Sequence, residues 1–292
     1  CYNYYTPEHY VCGCVATAMA QVMHHWQYPT GGVGTGSFTI YVDGESESRS
    51  LRGGDGAGGA YPWGSMPDVP TYGMTDEQRQ AVGAICHDAG VAANMSYAAD
   101  GSGAYLSTAS RALRQTFDYA NSIYGSNPGG GANANLYDMI NPNLDAARPV
   151  ILGIYGDGGH AIVCDGYGYD QGTLYHHLNM GWGGSADAWY NLPNVDTGYY
   201  LFDSVSQVIY NIYQSGSGEI ISGRVTDTAG QPLQGVTVTA TSGSAYSATT
   251  NSRGIYAIVG IPSDASYTVA AAKSGYTFAS QQVVTGRSSD YG

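Results

Sequence analysis

Apolar residues recur at helical spacing in the first half of the chain. Positions three and four apart predict a helix over about 76–89 and another over 108–117. Thr75 begins a capping box with the glutamine three residues later, and Gly90 is expected to end that helix. Ser107 is the expected N-cap of the other helix. Each helix is therefore predicted to present one buried face.

Short apolar runs separated by glycine-rich turns replace this pattern in the second half. They predict an antiparallel, strongly twisted sheet or barrel. The predicted strands are 150–155, 160–163, 174–178, 188–192 and 206–212. Before them, 37–42 is a predicted strand that enters an Asp-Gly hairpin turn, and 136–146 is a predicted short helix. Helices early and strands late indicate an α+β domain.

A third pattern follows residue 213. Residues 214–219 are a polar linker rich in glycine and serine. Beyond it, apolar and polar residues alternate with period two, in strands spaced by Gly, Pro and Asp turns. This pattern predicts a small all-β sandwich over 220–292.

Composition limits the classes of partner. The chain has 292 residues, which favours two domains over one, and its net charge is −13 with only ten Lys and Arg. Such a chain is expected to repel nucleic acid and anionic membranes. Because no run of 18 apolar residues exists, no membrane span is predicted.

Candidate chemistry begins at Cys14. Gly13 provides a turn, and an alanine-rich segment over about 14–27 is predicted to be a helix that starts at this cysteine. Unpaired N–H groups and the helix dipole favour a thiolate at that position, and thiolate is the attacking form of cysteine. Cys14 is thus a candidate nucleophile. The alternative is a small buried apolar residue, which is common for free cysteine.

Two later segments favour the nucleophile. His160 follows Cys14 by about 150 residues, and Asn179 lies further on. This order of Cys, His and Asn is expected of a papain-like cysteine protease, in which the imidazole takes the thiol proton. The pair is expected to rest as thiolate and imidazolium, and the backbone N–H of Cys14 to contribute to an oxyanion hole.

Taken together, these motifs resemble the streptopain family (family C10) of secreted bacterial cysteine peptidases. The resemblance covers 1–213 and rests on four segments: Gly-Cys-Val-Ala-Thr-Ala-Met-Ala-Gln at 13–21, Tyr-Pro at 28–29, Gly-Gly-His-Ala at 158–161, and Asn-Met-Gly-Trp-Gly-Gly at 179–184. It implies a papain-like catalytic domain with the nucleophile on the first helix and the histidine on a strand. The implied function is a secreted cysteine endopeptidase that cleaves protein or peptide substrates through a Cys14 thioester.

Further roles follow from that resemblance. Cys14 is the nucleophile, His160 the general base and then acid, and Asn179 the residue that orients the imidazole by accepting its ring N–H. Trp182 would shield the site from water, and the alternative for it is ordinary core packing. Met180 departs from the family, which often has Trp at that position.

Substrate contacts are expected on both sides of the nucleophile. By resemblance, Ser102 and Gly103 belong to a loop that borders the cleft, although an ordinary loop before a helix is an equal alternative. Gly159, beside the histidine, would let the substrate backbone approach closely. The family can also have a glutamine where this chain has Gly153.

Residues 220–292 resemble the carboxypeptidase regulatory-like domain. The matching segments are Ile-Ser-Gly-Arg-Val-Thr-Asp at 221–227, Pro-Leu-Gln-Gly-Val at 232–236 and Thr-Asn-Ser-Arg-Gly-Ile-Tyr at 250–256. Without Cys, His or clustered acids, this region is predicted to be structural or adhesive, with a surface or a glycan as the expected ligand.

The odd number of cysteines allows either reduced thiols throughout or one free thiol with up to two disulfides among Cys1, Cys12, Cys14, Cys86 and Cys164. Neither a metal nor another cofactor is predicted, because the Cys and His spacing around Cys14 fits no usual zinc pattern.

The resemblance implies a location outside the cell or on its surface, and an inhibitory pro-region that is absent from this chain. The alternative function is a non-catalytic binding or adhesion protein that keeps a protease fold.

Overall fold

The computed structural model describes residues 1–286 and residue 288. The described residues contain the helices α1 (Cys14–Trp26), α2 (Asp76–Ala92), α3 (Leu106–Gln115) and α4 (Ala134–Asp145), with 3-10 turns at Pro7–His9 and Trp63–Ser65. The strands of the first 213 residues are β1 (Ser37–Val42), β2 (Glu45–Ser50), β3 (Ser96–Ala98), β4 (Gly101–Gly103), β5 (Asn121–Ser126), β6 (Val150–Gly156), β7 (Gly159–Asp170), β8 (Thr173–Asn179), β9 (Ala188–Tyr190), β10 (Val195–Asp196) and β11 (Leu201–Tyr213). The remaining strands are β12 (Glu219–Arg224), β13 (Thr237–Ser242), β14 (Ser244–Thr249), β15 (Ile255–Ile261), β16 (Ser266–Ala272) and β17 (Gln281–Val284).

Helix ends show where local signals were sufficient and where packing overrode them. The capping box at the start of α2 is confirmed, because Thr75 accepts from the Gln78 N–H and the Gln78 side chain accepts from the Thr75 N–H. The predicted end at Gly90 is wrong, and α2 continues to Ala92. Gly90 is needed inside the helix because a Cβ there would lie 2.1 Å from the Tyr97 hydroxyl.

Helix α3 also differs from its prediction. It begins at Leu106 rather than after Ser107, and its N-cap is Tyr105, whose side chain makes no capping hydrogen bond. Ser107 is therefore not the cap. The buried side chains of α3 fill the core beside α1 and α2, which indicates that apolar packing sets its start.

Two sheets organise the first 213 residues. The smaller sheet has the order β2-β1-β3-β4, and its β1–β3 pair is parallel. Only its β1–β2 hairpin was predicted. The larger sheet has the order β10-β11-β6-β7-β8-β9, with β5 also paired to β11. Its antiparallel pairing confirms the expected late sheet, and β5 was missed because its sequence, Asn-Ser-Ile-Tyr-Gly-Ser, has few strongly strand-forming residues.

The larger sheet buries both of its faces. One face contributes Ile151, Val163 and Ile209 to the core that surrounds α1, α2 and α3. The opposite face, with residues such as Leu152 and Ile162, packs in a second core that includes α4. The sheet thus holds α1 against β7, and the start of α1 comes to lie beside the start of that strand.

A small all-β sandwich follows. A pair of strands, β12 and β15, faces the sheet β14-β13-β16-β17 across a core of its own. Asp145, at the end of α4, accepts hydrogen bonds from Ser222 (2.7 Å) and Tyr167 (2.8 Å), which ties the sandwich to the preceding domain. The architecture is therefore an α+β domain followed by an all-β sandwich, as predicted. Among the described helices, none has the length and apolarity needed to cross a membrane.

Candidate active site

Cys14 is the first residue of α1, directly after a tight glycine turn. Gly13 has φ +84°, and a Cβ there would lie 2.9 Å from both Met95 and the Ser102 carbonyl oxygen, so only glycine fits. The Ala161 and Val15 N–H groups lie close enough to the half-buried Cys14 thiol to lower its pKa. Since Ala161 follows His160, the thiol lies beside the start of β7.

His160 is fixed by one strong contact. Its Nε2 lies 2.8 Å from the Met180 carbonyl oxygen. A carbonyl only accepts, so Nε2 carries the proton of the neutral ring and Nδ1 is the free acceptor. An acceptor nitrogen of this kind is what a general base needs to take a thiol proton.

Aromatic rings cover the imidazole. Trp182 stacks on His160 with ring centroids 4.9 Å apart and planes at 29°, and Phe202 stacks at 6.0 Å and 22°. Tyr200 lies next to both, with its centroid 5.9 Å from that of Trp182. Phe202 and Tyr200 were not recognised in the sequence because they lie outside all four matching segments.

Asn179 does not make the contact expected of it. Its Oδ1 accepts from Gln21 Nε2 at 2.8 Å and from the Gly181 N–H at 2.9 Å, whereas the ring N–H of His160 meets the Met180 carbonyl. Asn179 therefore bonds the turn that carries the carbonyl rather than the ring itself. The reason is local: an Asn side chain readily accepts from the N–H two residues later, and Gly181 at φ +73° makes that turn possible.

Gln21 and Asp187, which the sequence analysis missed, complete the hydrogen bonds around the turn that contacts His160. Gln21 lies seven residues after Cys14, which places both on one face of α1 about two turns apart. Asp187 accepts a hydrogen bond from the Met180 N–H at 2.8 Å. The Met180 peptide is thus held through both its N–H and its carbonyl. The seven-residue spacing was a usable signal for Gln21, and none was available for Asp187.

Electrostatics differ from the expected ion pair. Burial raises the pKa of the Cys14 thiol above its ordinary value, although N–H groups of Ala161 and Val15 partly oppose that rise. Burial also lowers the pKa of His160, and the hydrogen bond to Met180 acts in the opposite direction. Both directions favour a neutral thiol and a neutral imidazole at rest.

The three predicted substrate-contact residues lie near this pair. Ser102 and Gly103 belong to β4, where the Ser102 carbonyl packs on Gly13 and the Ser102 hydroxyl is buried without a partner. Nothing lies within 4 Å of a Cβ built at Gly103, so that position is open. The Tyr155 ring packs on Gly159, and its nearest carbon would lie 3.2 Å from a Cβ at that position.

The structure contains reduced thiols, one of the two states that the sequence allows. All five are free in the structure. Cys12 is buried, with its sulfur 3.1 Å from Thr17 Oγ1, and Cys86 and Cys164 are fully buried. Within residues 1–286 and 288, no group of three or more His, Cys, Asp or Glu side chains is arranged to hold a metal ion.

Comparison with known proteins agrees with this geometry. The sequence model of the peptidase C10 family matches residues 1–190, and that of the carboxypeptidase regulatory-like domain matches residues 220–291. The thiol protease/hemagglutinin PrtT of Porphyromonas gingivalis is 35% identical over 187 residues, which are 64% of this chain and 21% of that protein. Streptopain of Streptococcus pyogenes serotype M1 is 30% identical over 190 residues, 63% of this chain and 46% of that protein.

A solved structure supports the fold. The active wild-type interpain A cysteine protease of Prevotella intermedia superposes with a TM-score of 0.63 at 27% identity, covering 73% of this chain and 89% of that one. The predicted papain-like fold is confirmed. The chain spans from about a fifth to about half of the length of the curated relatives it matches.

Proposed function

We propose that this chain, which belongs to the peptidase C10 family, is a cysteine endopeptidase that hydrolyses peptide bonds through a thioester on Cys14. One observation carries the proposal. The thiol at the start of α1 lies beside the first residues of β7, where His160 is held with Nδ1 as its free acceptor. A thiol beside the strand that carries a fixed base, with the two groups far apart along the chain, is what nucleophilic catalysis requires.

The reaction begins with transfer of the Cys14 proton to His160 Nδ1. The sulfur attacks the scissile carbonyl carbon, and the negative charge that develops on its oxygen is stabilised by the N–H of Cys14 at the start of α1. The C–N bond then breaks as the imidazolium protonates the leaving amine. The resulting thioester is hydrolysed by a water that His160 deprotonates, which regenerates the thiol and releases a carboxylic acid.

Asn179 and Trp182 support this cycle without bond changes of their own. Asn179 orients the imidazole indirectly, by fixing the turn whose Met180 carbonyl accepts the Nε2 proton. Trp182 covers one face of the ring and excludes water from it. Keeping the ring N–H on a carbonyl preserves the tautomer that leaves Nδ1 free.

The rest of the chain has a separate role. We assign 1–213 to the catalytic domain, 214–219 to the linker and 220–292 to the sandwich, whose proposed ligand is a surface or a glycan. The core of the sandwich is separate from the other two, which supports this division. The relatives are bacterial, and secretion, with protein substrates outside the cell, is proposed from the resemblance to the streptopain family.

Casein hydrolysis under reducing conditions tests the proposal. Cys14→Ala and His160→Ala are each expected to abolish cleavage, while Cys1→Ser, which removes an exposed thiol, leaves it unchanged. Cleavage that survives Cys14→Ala would overturn the mechanism. A wild-type protein that cleaves nothing, yet keeps its native thermal unfolding transition, would favour the non-catalytic binding protein.

A further inference from the structure

One face of the larger sheet is apolar inside the core and polar beyond it. Near α1, the side chains of that face are apolar, and they include Ile151 and Ile209. Further along the strands the same face carries Tyr155 on β6 and Gln207 on β11. Both are partly exposed, and Tyr155 is 39% exposed. Tyr155 and Gln207 therefore form a polar wall that begins where the apolar core face ends.

Gly153 makes room for this wall. It pairs with Gln207 on one side and with Ala161 on the other. A Cβ built at Gly153 would lie 3.1 Å from the Gln207 Cβ and 3.3 Å from its Oε1, so the carboxamide of Gln207 folds over the glycine. The same Cβ would lie 2.8 Å from a methyl group of Leu106, which closes the other side. Any larger residue at 153 would displace the carboxamide.

This wall lies next to the reacting groups. Ala161, whose N–H faces the Cys14 thiol, is the strand partner of Gly153. Adjacent strands are about 4.8 Å apart, so Gln207 lies about 10 Å from Ala161 across the sheet. That separation is within reach of a substrate side chain one or two residues from the scissile bond.

Tyr155 lies beside Gln207 and against Gly159, the residue before His160. Its ring lies on Gly159, next to His160, and its hydroxyl is within electrostatic range of both the Cys14 thiol and Tyr124. The Gln207 amide lies beside that hydroxyl. Burial raises the pKa of Tyr155, so the phenol keeps its proton and remains able to donate.

We propose that Gln207 and Tyr155 form a specificity subsite that binds an uncharged, hydrogen-bonding substrate side chain, an amide or a hydroxyl, beside the bond that is cut. This inference rests on the proposed function. An amide and a phenol supply donors and acceptors without net charge, and an aliphatic side chain would leave them unpaired on binding.

The test compares cleavage-site profiles. Wild-type protein and Gln207→Leu are each incubated with a peptide library, and the cut sites are mapped by mass spectrometry. Wild type is expected to favour Asn, Gln, Ser or Thr over Leu and Val by about 10-fold in kcat/KM at one position within two residues of the cut. Gln207→Leu is expected to reverse that preference at the same position. Gln80→Leu, an exposed change on α2, is the matched control.

A second variant keeps the test possible if Gln207→Leu does not fold. Gln207→Glu keeps the shape and adds a negative charge, so the same position is expected to gain selectivity for Lys and Arg. Identical profiles for wild type and both folded variants would overturn the subsite while leaving the peptidase intact. Loss of the proposed function is recognised separately, by casein cleavage that survives Cys14→Ala.

Discussion

The Gln21 side chain donates from Nε2 to Asn179 Oδ1 over 2.8 Å, across 158 residues of sequence. Gln21 is on the helix that begins with Cys14, and Asn179 ends the strand that leads to the Met180 carbonyl. The hydrogen bond therefore joins the helix of the nucleophile to the turn that orients the base. Any relative movement of the two would strain this contact.

Removing the Gln21 amide is expected to loosen the imidazole. Gln21→Ala leaves Asn179 with only the Gly181 N–H, and loss of this part-buried hydrogen bond costs about 0.5–1.5 kcal/mol. We expect kcat/KM for a peptide substrate to fall about 10-fold, mainly through kcat, because the base is displaced rather than the substrate. Steady-state kinetics beside the exposed control Gln80→Ala check this. An unchanged kcat would show that the contact is only structural.

The pH dependence of Cys14 alkylation distinguishes a neutral pair from an ion pair. Burial raises the thiol pKa, so less thiolate exists at a given pH and the iodoacetamide rate should climb until pH exceeds the ordinary thiol value. The experiment uses Cys1→Ser protein, because Cys1 is an exposed thiol. Fast labelling that is flat from about pH 5 to 8 would instead indicate a thiolate–imidazolium pair.

The pH at which peptide hydrolysis falls on the acid side can also be predicted. Burial lowers the pKa of His160, so the ring stays neutral, and able to act as base, below the ordinary imidazole range. Activity should therefore persist below about pH 6.5 before it falls. A pH profile of kcat/KM measures the midpoint. A midpoint above that value would show that burial does not dominate the pKa of His160.

Trp182 offers a test of shielding by an aromatic ring. Trp182→Phe keeps a ring over His160 and is expected to retain most activity, whereas Trp182→Ala exposes one face and should lower kcat by about 10-fold or more. The pH profiles of the two variants show whether lost shielding lowers kcat, since water that reaches the ring should move the pKa of His160 up toward its ordinary value. Equal kinetics for the two variants would show that the ring has no catalytic effect.

His176 is expected to limit stability in acid. It is fully buried, with Nε2 2.8 Å from Asn141 Oδ1, and burial lowers its pKa to about 4. The unfolded chain binds this proton near pH 6.5, so stability present above that pH is lost as pH falls to about 4, by about 3 kcal/mol. Urea unfolding of His176→Asn between pH 7 and 4 should show a shallower loss than wild type. The exposed His25→Gln should match wild type.

Local sequence patterns were sufficient for the order of the chemistry and for much of the secondary structure. The glycine turn before an alanine-rich segment predicted Cys14 at a helix start, and the capping box predicted the start of α2, because both depend on residues a few positions apart. The period-two alternation after 219 predicted the sandwich for the same local reason. Four short motifs were sufficient to indicate the family.

Which atoms meet was settled by the tertiary structure. The His160 ring bonds the Met180 carbonyl rather than Asn179, and Phe202 covers the ring. Both contacts depend on the strand order β11-β6-β7-β8 in the larger sheet. The rest states of Cys14 and His160 likewise follow from burial, which is a property of the packed domain. Local patterns carry no information about desolvation or about partners far along the chain, so these features appear only after folding.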